Sequence, residues 1–146
     1  MAKQLLLGNE AIAWGAIAAG VKVATAYPGT PSTEIFSTLA ARAKRYGFHA
    51  EWCVNEKVAL EVAYGSAISG ARTLVTMKQV GLNVAADPLL SGTYLGVKGG
   101  LVLVVADDPG PHSSQTEQDT RQFAGFAKVP VLDPSDPEEA MQMVIE

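Results

Sequence analysis

A carboxylate placed where a strand-like run meets a helix can satisfy the helix or move a proton. Glu56, in "VNEKVALEVAYG" (54–65), stands at such a junction, directly after Asn55. An acid in a first helical turn is stabilised by the helix dipole by about 0.3–1 kcal/mol, and Asn55 suits the N-cap. The same position also suits a general acid or base aimed into a cleft. The segment by itself leaves both readings open. Lys57 and Glu61 are spaced i,i+4 and point to a solvent face. The opposite stripe, Ala59, Val62, Ala63, Ser66 and Ala67, is small enough to lie close against a sheet.

Three further stretches gather polar chemistry. In "YPGTPSTE" (27–34), Gly29 permits close backbone approach, and Thr30 and Ser32 offer hydroxyls near a helix start. Such a place can bind a carboxylate or phosphate. It also reads as a plain cap, with Thr30 before Pro31 at the first helical position. In "TMKQVGLN" (76–83), Gly81 allows an unusual backbone angle, Asn83 suits a cap, and Met77 reads as core or as an apolar shelf. The long "ADDPGPHSSQTEQD" (106–119) brings together Asp107, Asp108, His112, Ser113 and Ser114. His112 could handle protons or meet a carboxylate. The spacing of Asp107, Asp108, His112 and Asp119 matches no metal motif, so no metal site is expected. His49 reads as a structural residue. No glycine-rich phosphate motif of the Walker or dinucleotide type is present.

The elements that must position these residues alternate along the chain. Strand-like runs fall at 21–27, 48–54, 72–77 and 101–107, with a weaker one at 129–133. Helical segments fall at 9–19, 31–46, 56–69, 83–95, 114–127 and 137–146. Runs such as "LVLVVA" are apolar on both alternating faces, as in parallel strands covered by helices on both sides. The pattern predicts an α/β three-layer domain with a mostly parallel sheet. Gly20, Gly47, Gly70 and Gly99–Gly100 stand where helix C-terminal caps belong, and Pro31 and Pro137 where helices start. In such a sheet, ligands bind beyond the carboxyl ends of the strands. All four polar stretches fall at that edge, whereas the opposite edge has only the bland turns "AAG", "RYG" and "ISG".

Composition sets the outer limits. With 146 residues, 48% of them hydrophobic and 18% charged, the chain can form one domain with a sizeable core. A net charge of −4 argues against nonspecific binding of nucleic acid or of an anionic membrane. Cys53 is the only cysteine, which excludes an intrachain disulfide and any iron–sulfur cluster held by this chain. Polar residues interrupt every apolar run before it reaches membrane-spanning length. Asn9 and Glu10 break any signal-peptide core, and a cytoplasmic location is expected. Residues 1–146 read as a single domain whose last helix stops within the helix or at its end, as in a piece cut from a longer chain.

Four motifs in order, "TAYPGTPSTEI", "EWCVNEKVALEVAYGSAISG", "TMKQVGLNVAADPL" and "GGLVLVVADDPGPHSSQTEQDTR", resemble the thiamine-diphosphate-dependent 2-oxoacid:ferredoxin oxidoreductases. The resemblance covers nearly the whole chain. It is strongest to the N-terminal part of the α subunit in the indolepyruvate, or arylpyruvate, branch. There this region is the pyrimidine-binding domain of the thiamine-diphosphate-binding fold. The resemblance implies that Glu56 hydrogen-bonds the aminopyrimidine ring of thiamine diphosphate, favouring the imino tautomer that takes the proton from the thiazolium carbon. It places Gly81, Leu82 and Asn83 against that ring, Thr30 on the substrate carboxylate, and His112, Ser113 and Ser114 near the substrate. In the pyruvate branch the third loop is closer to "TASQG" than to "TMKQVG", so the preferred 2-oxoacid stays open.

The same resemblance implies oxidative decarboxylation, with coenzyme A accepting the acyl group and ferredoxin reduced through iron–sulfur clusters. The chain lacks the "GDG…N" magnesium motif of a diphosphate-binding domain. It is therefore expected to be inactive alone. Its expected partners are that domain, a second (β) subunit and further copies of itself, with no nucleic acid or membrane among them. Magnesium and the clusters are expected in the full enzyme, outside this chain. Two other readings remain: a non-catalytic assembly or regulatory domain of the same α/β fold, and a phosphate-binding enzyme with its whole site in this chain.

Overall fold

Short runs rich in β-branched and small apolar residues form four strands: β1 (Val23–Ala26), β2 (His49–Trp52), β3 (Thr73–Lys78) and β4 (Leu101–Ala106). The computed structural model describes residues 5–146. The strands are all parallel in the order β2-β1-β3-β4. Val23 stands level with His49 and Thr73, and Thr73 with Leu101. Leaving β1, the chain turns toward β2; leaving β3, it turns toward β4. The two connections diverge between β1 and β3, which makes a crevice at the carboxyl ends of those strands.

Alternation along the strands sends side chains into two cores. On one face, Ala24, Ala26 and Leu74 meet α1 (Gly8–Ala18) and α2 (Thr33–Tyr46) through Ala13, Ala16, Ile35, Phe36 and Leu39. On the other, Val75 and Met77 meet α3 (Glu56–Ile68) and α4 (Gln79–Val84) through Ala59, Leu60, Ala63 and Leu82. Burying a leucine or phenylalanine side chain in this way stabilises by about 1.5–3 kcal/mol. The small stripe of α3 lies against the sheet, as expected. It is also pinned there, because the buried Thr25 hydroxyl of β1 donates to the Ala59 carbonyl at 2.7 Å. Three helices complete the fold: α5 (Ala86–Gly92), α6 (Arg121–Ala127) and α7 (Pro137–Ile145), the last packed on α1.

Several expectations shift. The run 129–133 forms no strand: Pro130 removes a donor, and Val131 and Leu132 lie exposed. The helix expected over 83–95 begins at Gln79 and divides at Ala85, because Pro88 cannot donate to the Val84 carbonyl. The helix expected over 114–127 starts only at Arg121. Pro31 precedes α2 rather than opening it, and Ser32 takes the cap position instead of Thr30. Pro137 does open α7, and α2 does end at Gly47 in the left-handed conformation (φ 71°). Gly99 serves close approach rather than a cap, since a side chain there would strike the Ala71 carbonyl. His49 stands in edge strand β2, as read, with its side chain exposed and 3.0 Å from Glu51.

Candidate functional site

Glu56 owes its position to its neighbours. Beyond β2, the Cys53 amide donates to Ala26 and extends the ladder by one residue. Asn55 is extended, and its side chain accepts from the Val58 amide at 2.9 Å, so α3 starts at Glu56. An Asn cap of this kind contributes about 0.5–2 kcal/mol. Asn55→Ala should therefore lower the unfolding free energy by about 1 kcal/mol in denaturant titration. A loss below a tenth of that would show the cap to be idle.

The Glu56 side chain then folds against α4 and is only 7% exposed. A methyl group at Gly81 would lie 2.5 Å from Glu56 Oε1 and 2.7 Å from its Cγ. Gly81 thus provides space, not the unusual backbone angle read from the sequence, because its φ is not positive. Among the described residues no donor reaches the Glu56 carboxyl, and its oxygens are not sealed from the surface. Leu82, on the next position of α4, fills the second core. Asn83 is no cap: it sits near the end of α4, exposed, and donates to Gln118 Oε1 at 2.9 Å.

The loop after β1 uses most of its hydroxyls on itself. Ser32 Oγ donates to the Gly29 carbonyl at 2.8 Å, and the Gly29 amide donates to Thr33 Oγ1 at 2.9 Å. The exposed Thr30 is left with a side chain engaged by no described residue, while its carbonyl accepts from Ser114 Oγ at 3.2 Å. Asn9 Nδ2 braces the loop through the Pro31 carbonyl at 2.8 Å. A shallow cleft of about 720 Å³ borders Thr30 on the α1–α2 side, lined also by Asn9, Pro31, Glu34 and Arg42. Glu56 does not line it.

The fourth loop is organised by its two aspartates. Asp108 Oδ2 accepts from the amides of Ser114, Ser113 and His112 at 2.7, 2.8 and 3.1 Å. The Ser113 and Ser114 amides hold this carboxyl below its usual range. Asp107 accepts from the Thr120 amide and hydroxyl, both at 2.9 Å. These contacts delay α6 to Arg121. His112 and Ser113 remain exposed, and only Ser114 is brought to the Thr30 loop. Among the described residues no group of three His, Cys, Asp or Glu side chains is placed to hold a metal, and no helix is long and apolar enough to cross a membrane. Burial, then the Glu51 charge, pushes the Cys53 thiol up, away from nucleophilic use.

Two residues missed by the sequence reading tie these parts together. Gln79 is fully buried at the start of α4. Its Nε2 donates to the Thr116 carbonyl at 2.7 Å, and Gln118 Nε2 returns a bond to the Gln79 carbonyl at 3.3 Å. Lys78, half-buried, reaches Gln115 Oε1 at 2.6 Å. A polar pair directly after a buried strand was the available signal. The arrangement thus has two centres, Glu56 with Gly81 and Thr30 with Ser114. Lys78 and Gln79 stand at the foot of α4, where the loop from β4 is clasped.

Comparison with known proteins follows the same outline. The family described as pyruvate flavodoxin/ferredoxin oxidoreductase, thiamine-diphosphate-binding, matches residues 14–146. Subunit IorA of indolepyruvate oxidoreductase from Thermococcus kodakarensis is 58% identical over 139 residues, covering 95% of this chain and 22% of that protein. The corresponding subunit from Archaeoglobus fulgidus is 56% identical, over 94% of this chain and 23% of its own. Subunit VorB of ketoisovalerate oxidoreductase from Methanothermobacter thermautotrophicus is 29% identical over 66% of the chain and 30% of that protein. The chain thus spans less than a quarter of the length of the IorA relatives. Among solved structures, a 2-oxoglutarate:ferredoxin oxidoreductase from Magnetococcus marinus superposes with a TM-score of 0.80 at 19% identity, over 96% of this chain and 26% of that one. That likeness supports the fold.

Proposed function

Because the chain belongs to the thiamine-diphosphate-binding family of the pyruvate flavodoxin/ferredoxin oxidoreductases, we propose that it is the pyrimidine-binding domain of an enzyme that oxidatively decarboxylates arylpyruvates such as indolepyruvate. In this reading the complete enzyme passes the acyl group to coenzyme A and electrons to ferredoxin. A diphosphate-binding domain and a second subunit supply magnesium binding and the iron–sulfur clusters. The observation that carries the reading is Glu56: a nearly buried carboxyl with no protein partner among the described residues, seated directly on Gly81 in the room a side chain there would need.

The residues present fit the cofactor's aminopyrimidine. A flat heteroaromatic ring needs a hydrogen-bonding carboxyl held in a fixed place, which Glu56 supplies, and Gly81 fixes that place by leaving room for its side chain. Bound thiamine diphosphate supplies a carbon nucleophile and a sink for the electrons released as carbon dioxide leaves the 2-oxoacid. Glu56 holds a proton at a ring nitrogen and so controls the ring's tautomer. Leu82, packed in the second core on the next position of α4, holds that helix and with it Gly81 against Glu56. Thr30 offers the substrate carboxylate a hydroxyl that no described residue engages, and Ser114 holds the Thr30 carbonyl in place. In this reading Asn83 acts through Gln118, and His112 and Ser113 line the outer approach rather than the reacting centre.

The test is turnover of the complete, cofactor-loaded enzyme with indolepyruvate, phenylpyruvate and pyruvate, read as ferredoxin reduction. The aryl substrates should exceed pyruvate in kcat/KM by about tenfold or more, the scale on which an apolar pocket separates large from small side chains. Equal or better use of pyruvate would overturn the substrate assignment. Loss of all turnover without any effect of thiamine diphosphate would overturn the enzyme reading itself.

A further inference from the structure

Lys78 occupies the crevice between β1 and β3, where the connections of the sheet diverge. Its aliphatic stem runs over Gly29: a methyl group there would meet Cδ at 3.0 Å and Cγ and Cε at 3.2 Å. The stem takes the room that a side chain at position 29 would fill, and it carries the ammonium past the loop that bears Thr30. The only hydrogen bond from this ammonium among the described residues goes to a neutral acceptor, Gln115 Oε1, at 2.6 Å.

An ammonium has three donors, and a single amide oxygen fills one. Two other cations on the chain, by contrast, hold carboxylates. Lys57 pairs with Asp87 at 2.6 Å, and Arg121 bridges Asp119 and Asp133. Acids are not scarce, since the chain has 15 of them for 11 lysines and arginines. A positive charge kept half-buried, restrained by its stem and matched only by a neutral amide gains most from an anionic ligand. An anionic acceptor adds the Coulomb attraction between two full charges, which the neutral Gln115 amide lacks.

We propose that Lys78 is the cationic anchor of the substrate carboxylate, exchanging Gln115 for that group beside Thr30, and is thereby a substrate-binding and specificity-determining residue. This rests on the 2-oxoacid reading above. One ammonium and one hydroxyl from adjacent loops suit the two oxygens of a carboxylate.

The experiment uses the complete enzyme carrying Lys78→Met or Lys78→Arg. Calorimetry measures binding of indole-3-propionate, a non-reacting carboxylate, and of its neutral primary amide; steady-state assays give KM for indolepyruvate. Lys78→Met should weaken the acid and raise KM by about tenfold or more. It should leave the amide and thiamine diphosphate affinities unchanged, and Lys78→Arg should recover part of the loss. An unchanged acid affinity, or equal weakening of acid and amide, overturns the proposal and leaves Lys78 as a strut for Gln115. Failure of the wild-type enzyme to use any 2-oxoacid would defeat the underlying reading instead, and the calorimetric comparison would still decide the anion site.

Discussion

Glu56→Gln should lower kcat for 2-oxoacid-dependent ferredoxin reduction by about 10²–10⁴-fold in the complete enzyme, the range expected when a positioned proton-transfer group is removed. Glutamine has the same length and nearly the same shape, so it fits against Gly81 and keeps the pocket filled. It cannot shuttle a carboxyl proton to a ring nitrogen. The fold should survive, because the start of α3 is fixed by the Asn55 cap and by the Thr25 bond to Ala59. Loss of the dipole interaction costs only about 0.3–1 kcal/mol. Rapid-mixing assays for turnover and a thermal melt for folding separate the two effects. Near-normal turnover would reduce Glu56 to a helix-start acid, the other reading its local sequence allowed.

Gly81→Ala should act on the same centre from the opposite side. Helix propensity alone argues that alanine would stabilise α4 by about 1 kcal/mol. The structure argues the reverse, because the new methyl group would press on Oε1, Cγ and Cδ of Glu56 within 2.5–2.9 Å. Overpacking of this kind costs about 1–3 kcal/mol. Relief is available by pushing Glu56 outward. A displacement of about 1 Å at a reacting centre is enough to lose roughly 10²-fold in rate. The expected result is a lower denaturation midpoint, a weaker thiamine diphosphate affinity and a kcat down by about 10²-fold. A variant that is more stable and fully active would show that the contact between the two residues does not matter.

Much of the frame was legible because it rests on local patterns. "LVLVVA" and "TLVTM" lie in strands, Gly47 ends a helix, and the edge chosen for the site is the one where Thr30, Glu56, Gln79 and Ser114 stand. What escaped depended on partners distant in sequence. Nothing in "DDPGPHSSQ" says that Asp108 will collect three backbone amides and replace a helical turn with a cradle. Nothing in "VPVLD" says that no strand will lie beside it. Gly81 looked like a backbone requirement; it is a space requirement set by a residue 25 positions earlier. Asn83 was read as a cap because the start of α4 was placed four residues too late. Lys78 and Gln79 went unremarked because a polar pair after a strand has no meaning until the loop it clasps is in place.

The five glycines that lie beyond the first residue of a helix carry one more consequence, which concerns how such a protein can change over generations. Gly65 and Gly125 face open space, with nothing within 4 Å of an added methyl group. Gly15, Gly81 and Gly92 are each occupied by a neighbour: Met141, Glu56 and Tyr64. By composition these five are interchangeable defects in helices. By position, two are free to drift, and three can gain a side chain only if a neighbouring residue gives way. At the candidate site, the acid of Glu56 fills the room that a methyl group at position 81 would need. Selection acting on the acid therefore acts equally on an absence.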